Sequence, residues 1–151
     1  PITEEEKIAL FESDDFFNNL KFKSDFLKVF NKYCGQVEFI ITTKGTPNNL
    51  LKKEAWIKEN IPYQVKFIGI NNGGLSKKQV NMSDGIQIDD CTAALDTNAS
   101  LKILYKDNHN FSWQSDYSNT DIMVVNNWEE IDEIISFYST YNYKTLSKKG
   151  E

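Results

Sequence analysis

The sequence predicts an α/β domain built on a mostly parallel sheet with flanking helices. Three observations predict it. Short apolar runs of strand length alternate with segments of helical periodicity, the pattern of a layered α/β domain. Residues that start and stop helices fall between those runs. At 151 residues the chain suits one compact core, since a domain of this length buries roughly two-thirds of its unfolded surface.

Thr3 and Glu6 form a capping box for a first helix running to about Phe11. Asp14-Asp15 then reads as a cap for the short Phe16-Phe17 segment. Ser24 is expected to cap a second helix with Phe26, Leu27, Phe30 and Cys34 on its apolar face, and Gly35 to close it in a left-handed turn. Val37 to Thr43 reads as a strand ending in two hydroxyls. Thr46-Pro47 opens a helix through about Asn60, and Val65 to Ile70 is the next strand. A loop with Gly and Lys leads to a strand from Gly85 to Asp90, an Ala-rich turn, and a strand from Leu101 to Tyr105. Residues 107–119 form a polar, aromatic loop. Asp121 to Val125 is the last strand, and Asn127 caps a helix carrying Trp128, Ile131, Ile134, Ile135 and Tyr138 on one face. A frayed tail is expected from residue 144.

Composition narrows the function classes. A net charge of −5, with lysines scattered except for short pairs, argues against nucleic acid as a partner. Cys34 and Cys91 are too few and too far apart for a disulfide framework or a zinc site, and read as buried free thiols. No apolar run approaches the roughly 18–20 residues that cross a membrane, and no signal peptide opens the chain. The expectation is a cytoplasmic protein, bacterial or phage-encoded, with no membrane partner.

Ligands of open α/β sheets gather at the carboxyl ends of the strands. Thr42-Thr43, Lys77 (or Lys78) and Asp89-Asp90 all fall at strand ends or just beyond them. Hydroxyl and ammonium groups donate hydrogen bonds to phosphoryl oxygens, and hard carboxylates ligate Mg²⁺. Each feature also has an ordinary structural role: a helix cap for the threonines, a solvated surface for the lysines, an N-cap for the aspartates. His109 in its Asn-rich loop reads as a surface residue, and Trp113 as partly packed.

The order and wording of these segments resemble the haloacid-dehalogenase-type (HAD) phosphatases, and within them the 5'(3')-deoxyribonucleotidases. Phe39-Ile40-Ile41-Thr42-Thr43 resembles the second motif of that branch, Ser76-Lys77-Lys78-Gln79-Val80-Asn81-Met82 its lysine motif, and Gly85-Ile86-Gln87-Ile88-Asp89-Asp90 its fourth. Ile8-Ala9-Leu10-Phe11-Glu12-Ser13 with Phe16-Phe17 is similar to the segment that returns from the cap to the core. Val125 to Ile131 is similar to the closing strand and helix, so the resemblance runs from about Ile8 to Tyr138. It implies a HAD-like, Rossmannoid core over 21–143, a remnant of the cap over 1–20 and a tail over 144–151. It implies that Thr42 holds a phosphoryl group and Lys77 neutralises it. The same resemblance implies that Asp90 ligates Mg²⁺ while Asp89 orients the network, and that Thr43 and Phe11 contact the substrate, with Phe11 against the base. The implied ligand is a deoxyribonucleoside monophosphate or phosphate.

The first motif of that family, Asp-x-Asp, occurs nowhere in these residues. Its first Asp attacks phosphorus and its second serves as acid and base. The strand that carries it lies, in the family, between the strands ending at Thr42 and Asp90, and much of the cap is missing as well. Two consequences are expected. The chain by itself lacks a nucleophile, and the sheet either keeps a central break or closes it by pairing those two strands. A break would expose backbone donors and acceptors and favour a complementing chain or a homo-oligomer.

Overall fold

The computed structural model describes residues 1–61, 63–115, 117 and 121–149, with side chains to 139. Helices α1 (Glu4–Glu12), α2 (Asp14–Asn18) and α3 (Phe26–Tyr33) precede β1 (Ile40–Gly45), α4 (Pro47–Asn60) and β2 (Lys66–Asn71). Strands β3 (Ile86–Asp89), β4 (Leu101–Tyr105) and β5 (Ile122–Val125) follow, and α5 (Trp128–Lys149) closes the order. Short 3₁₀ turns lie at Lys77–Gln79, Thr92–Leu95 and Ser112–Gln114. Every strand pair is parallel, so the α/β class holds.

The strands form two sheets, β1-β2 and β3-β4-β5, which are not hydrogen-bonded to each other. Of the two expected outcomes the sheet shows the break. Phe39 and Gly45 accept hydrogen bonds from the β2 side, at Lys66 N and Asn72 N. Backbone polar groups alternate sides along a strand, so those of Ile40, Thr42 and Lys44 point away from β2. By the same parity Gly85 faces β4, and the backbone groups of Ile86 and Ile88 face away from it.

What joins the halves is α3. Its buried Val29 and Tyr33 pack with Ile103, Val125, Ile131 and Ile135 into one core, with Phe39, Ile86 and Ile88 against it. An aromatic spine extends the connection: Phe22 meets Trp56 of α4 at 4.8 Å, Phe26 meets Trp128 of α5 at 4.9 Å, and Phe30 meets Phe39 at 4.7 Å. Aromatic rings bury large areas, and such edge and tilted pairs add to the area term. The expected apolar face of α3 is therefore corrected. Phe30 is buried as expected, but its partners are Val29 and Tyr33, while Leu27 is exposed and Cys34 only half-buried. The bulk of Tyr33 and its hydrogen bond to α5 outweigh Leu27 and Cys34. Both thiols are free and half-buried rather than buried.

Local signals at the helix ends fare unevenly. Thr3 Oγ1 accepts from Glu6 N at 3.1 Å and the Glu6 carboxylate accepts from Thr3 N at 2.8 Å, as the capping box requires. Thr46 caps α4, with Pro47 in the first turn. Ser13, not the aspartates, caps α2, and Asp14 and Asp15 occupy its first turn. Ser24 does not cap α3; the N-cap position is Asp25, at φ 67°, without a side-chain hydrogen bond. Gly35 does not have a positive φ, and α3 ends in right-handed geometry at Cys34. The first strand begins at Ile40 rather than Val37 and runs on to Gly45. Residues 150–151 and parts of the loop 107–119 lie outside the described residues.

Tyr33 also donates its hydroxyl to Asp132 Oδ1 at 2.5 Å, and Lys32 Nζ reaches the same carboxylate at 2.9 Å. Tyr33 first and Lys32 second hold Asp132 below the usual carboxylate range. A carboxylate depressed in the native state adds stability above its unfolded value and loses it as the pH falls through the native one. Asp132→Asn should therefore cost about 1 kcal/mol at neutral pH, less than a fully buried charged hydrogen bond because solvent screens the pair. That difference should start to shrink as the pH falls below the ordinary value of 3.8 and vanish only below the depressed native one. Urea unfolding of both proteins at several pH values checks it, and a difference that ignores pH would refute it.

Candidate functional site

The carboxyl end of β3 carries the expected acid pair, whereas the threonines expected to end β1 do not end it, because that strand runs on to Gly45. Thr42 and Thr43 sit in mid-strand on opposite faces of β1, in register with Ile68 and Gly69 of β2. Beyond them Gly45 makes the close approach that lets α4 begin. A Cβ there would stand 2.1 Å from Asn49 Oδ1. Asn49 is buried and donates through Nδ2 to Phe11 O at 2.6 Å. Thr46 Oγ1 meets Glu12 Oε1 at 2.5 Å, and Lys52 Nζ donates to Glu12 O at 2.5 Å and to Asp14 at 2.9 Å. These polar contacts dock α1, which buries none of its own residues. Phe11 is thus brought to the carboxyl end of β1 through its carbonyl, while its ring packs edge-on against Phe16.

On the other side of the break, Lys77 opens a 3₁₀ turn capped by Ser76, whose N–H donates to Gln79 Oε1 at 2.7 Å. The turn aims the ammonium at Asp89 Oδ2, with which it makes a short ion pair. Lys77 and Asp89 side chains are only 16% and 8% exposed, which makes this the most enclosed ion pair among the described residues. Asp89 Oδ1 accepts from Cys91 N at 3.1 Å, so both its oxygens are engaged. Lys78 instead lies at the surface near Asp96. Below the acid pair, buried Gln87 donates to Ala94 O at 2.8 Å and accepts from Thr97 Oγ1 at 2.6 Å, fixing the turn that follows.

Asp90 makes no ion pair among the described residues. Burial first, then the charge of Asp89, pushes its carboxyl above the usual range, with Lys77 opposing. No group of three or more His, Cys, Asp or Glu side chains converges among the described residues. A cation at Asp90 would therefore draw most of its ligands from water or a bound phosphate. Mg²⁺ is a cation that keeps several waters and takes one or two carboxylates, and Asp90 would be the residue to hold it.

Two lysines escaped the sequence reading. Lys23 pairs with Asp107 at 2.9 Å and feels the charge of Asp90. Lys53, on α4, donates to Thr43 Oγ1 at 2.9 Å and to Lys44 O at 2.8 Å. The available signal for Lys53 was its place one turn after Asn49, which puts both on one helix face.

Lys77 and Asp89 are brought into direct contact, with Asp90 beside them. Thr43 is linked to Lys53, and Phe11 stands at the β1 end. His109 lies tilted against Phe111, which stacks on the exposed Trp113 at 4.4 Å. Trp113 is therefore more open than its expected packing. Ammonium groups and an exposed carboxylate at or beyond the strand ends, with hydroxyls along β1, are groups that can bind an oxyanion and a hard cation. Such a fold and site define a parallel α/β protein with a polar site at its strand ends. Neither protein-family models nor curated proteins give a match to the chain. Among the described residues no helix is long and apolar enough to cross a membrane.

Proposed function

We propose that this chain is a portion or a degenerate relative of a Mg²⁺-dependent phosphatase of HAD type, closest to the 5'(3')-deoxyribonucleotidases. Its strand-end site would take the phosphate of a deoxyribonucleoside monophosphate. The observation that carries the reading is the enclosed Lys77–Asp89 pair with Asp90 beside it at the end of β3. A structural ion pair needs only one carboxylate; the second, open to solvent and without its own cation among the described residues, suits a metal-bound phosphate. Thr42 and Lys77 would donate to the phosphoryl oxygens. Asp90, oriented through Asp89, would hold Mg²⁺, which when bound neutralises phosphate charge. Thr43 and Phe11 would contact the rest of the substrate. No group here replaces the missing Asp-x-Asp, so the chain by itself binds and does not hydrolyse.

The break between β1 and β3 favours a second reading, a non-catalytic nucleotide-binding or interaction protein on the same core. Backbone groups of Ile40, Thr42, Lys44, Ile86 and Ile88 point away from their paired strands, and such edges recruit another chain. Calorimetry with dUMP or dTMP and Mg²⁺ separates the cases. Binding that is lost in Thr42→Val and Asp90→Asn, without phosphate release, supports the first reading. Absence of binding to nucleotide and to phosphate leaves the interaction role alone. Rapid phosphate release abolished by Asp90→Ala would overturn the argument from the missing nucleophile.

A further inference from the structure

We propose that Lys53 is an anion-binding residue whose ammonium, with that of Lys77, seats a phosphate dianion at the mouth of the break between β1 and β3. The inference rests on the phosphate reading above and adds a ligand to it.

Helix α4 carries Lys53 one turn beyond Asn49, the buried residue that faces β1. The ammonium donates to Thr43 Oγ1 at 2.9 Å and to Lys44 O at 2.8 Å. Lys44 belongs to the residues whose backbone groups point away from β2, so this contact draws Lys53 over the open edge of β1. Its neighbour Lys52 faces the other way, onto Glu12 and Asp14.

An ammonium has three N–H donors, and two are used here on neutral oxygens. Lys53 is partly buried and has no carboxylate within ion-pair distance among the described residues. Across the break stands Lys77, whose charge is already balanced by Asp89. Burial first, and then the positive charge of Lys77, lowers the pKa of Lys53 below the usual lysine range. A partly buried ammonium that feels the charge of Lys77 and has no carboxylate of its own among the described residues is stabilised by an anion beside it. The third N–H of Lys53, the remaining N–H groups of Lys77 and the hydroxyl proton of Thr43 form a set of donors from different elements. A phosphate dianion has the several acceptor oxygens needed to use them together, whereas one carboxylate has two.

The test is a calorimetric titration of inorganic phosphate into the wild-type chain, Lys53→Met and Lys53→Arg, with folding checked by circular dichroism. Loss of at least about tenfold in affinity in the Met variant, with most of it kept by Arg, is expected. Unchanged affinity in folded Lys53→Met overturns the role of Lys53 and leaves the phosphate reading standing. Failure of the wild-type chain to bind phosphate overturns both. Should the Met variant not fold, acetylation of Lys53 in the wild-type chain, followed by mass spectrometry, decides. Bound phosphate should slow it several-fold relative to Lys78, and an unchanged rate in saturating phosphate overturns the proposal.

Discussion

Lys77→Met should lower the stability of the chain by about 3 to 5 kcal/mol, the usual cost of removing one partner from an enclosed ion pair. The ammonium is nearly enclosed and its carboxylate partner more so, at 16% and 8% exposure. Without it Asp89 keeps only the Cys91 amide, at 3.1 Å, and stands beside Asp90 with no cation between them. Asp90 already titrates above the ordinary carboxylate value of 3.8, through burial and through Asp89. A carboxyl raised in the native state favours folding below its unfolded value and opposes it as the pH rises through the native one. The deficit of Lys77→Met should accordingly shrink on acidification, while the wild-type chain changes less. Adding Asp89→Asn should restore much of the loss, since the stranded charge goes with it. Urea unfolding of the two single variants and the double variant measures the coupling. Simple additivity would show that the pair is not what holds the Lys77 turn to β3.

Gly45→Ala should cost about 2 to 4 kcal/mol, the sum of a steric and a hydrogen-bonding penalty. The new methyl would stand 2.1 Å from Asn49 Oδ1, so Asn49 must move. Asn49 is buried, and its amide holds Phe11 O at 2.6 Å, so moving it strands a polar group and loosens α1. In an Asn49→Ala background the obstacle is gone, and the same glycine substitution should cost little. Equal costs in the two backgrounds would refute this account. Hydrogen exchange should show α1 opening in Gly45→Ala while β3, β4 and β5 keep their protection.

Much of the architecture was legible in order and type, because its signals are short-ranged. A capping box spans three residues, a proline sets its own φ, and strand and helix periods repeat within one element. Thr3–Glu6, Thr46-Pro47 and the apolar runs at β1 to β5 are of this kind. Boundaries were less legible. Ser24 and Gly35 had suitable chemistry for their positions, yet Asp25 and right-handed geometry took them, because the entry and exit of α3 follow its packing. The site shows the same division. The acid pair could be placed at the end of β3 from sequence, whereas the hydroxyls expected to end β1 lie in mid-strand because the strand runs on to Gly45. Lys53 could not, since its partners Thr43 and Lys44 lie on another element and an amphipathic helix tolerates a lysine on several faces.

By itself the sequence determined the element order, the parallel α/β class and the placing of Asp89 and Asp90 at the end of a strand, with Lys77 in the loop before it. It also determined that no Asp-x-Asp is present. Only the tertiary structure decided which face of α3 is buried, that β1 and β3 stay apart, and that Lys77 is committed to Asp89 while Lys53 has no carboxylate partner among the described residues. The physical reason is range. Backbone preference and periodicity act over a few residues and are written in the local sequence. Burial, ion pairing and strand pairing depend on groups tens of residues apart, whose meeting is settled only when the aromatic spine of α3 joins the two sheets.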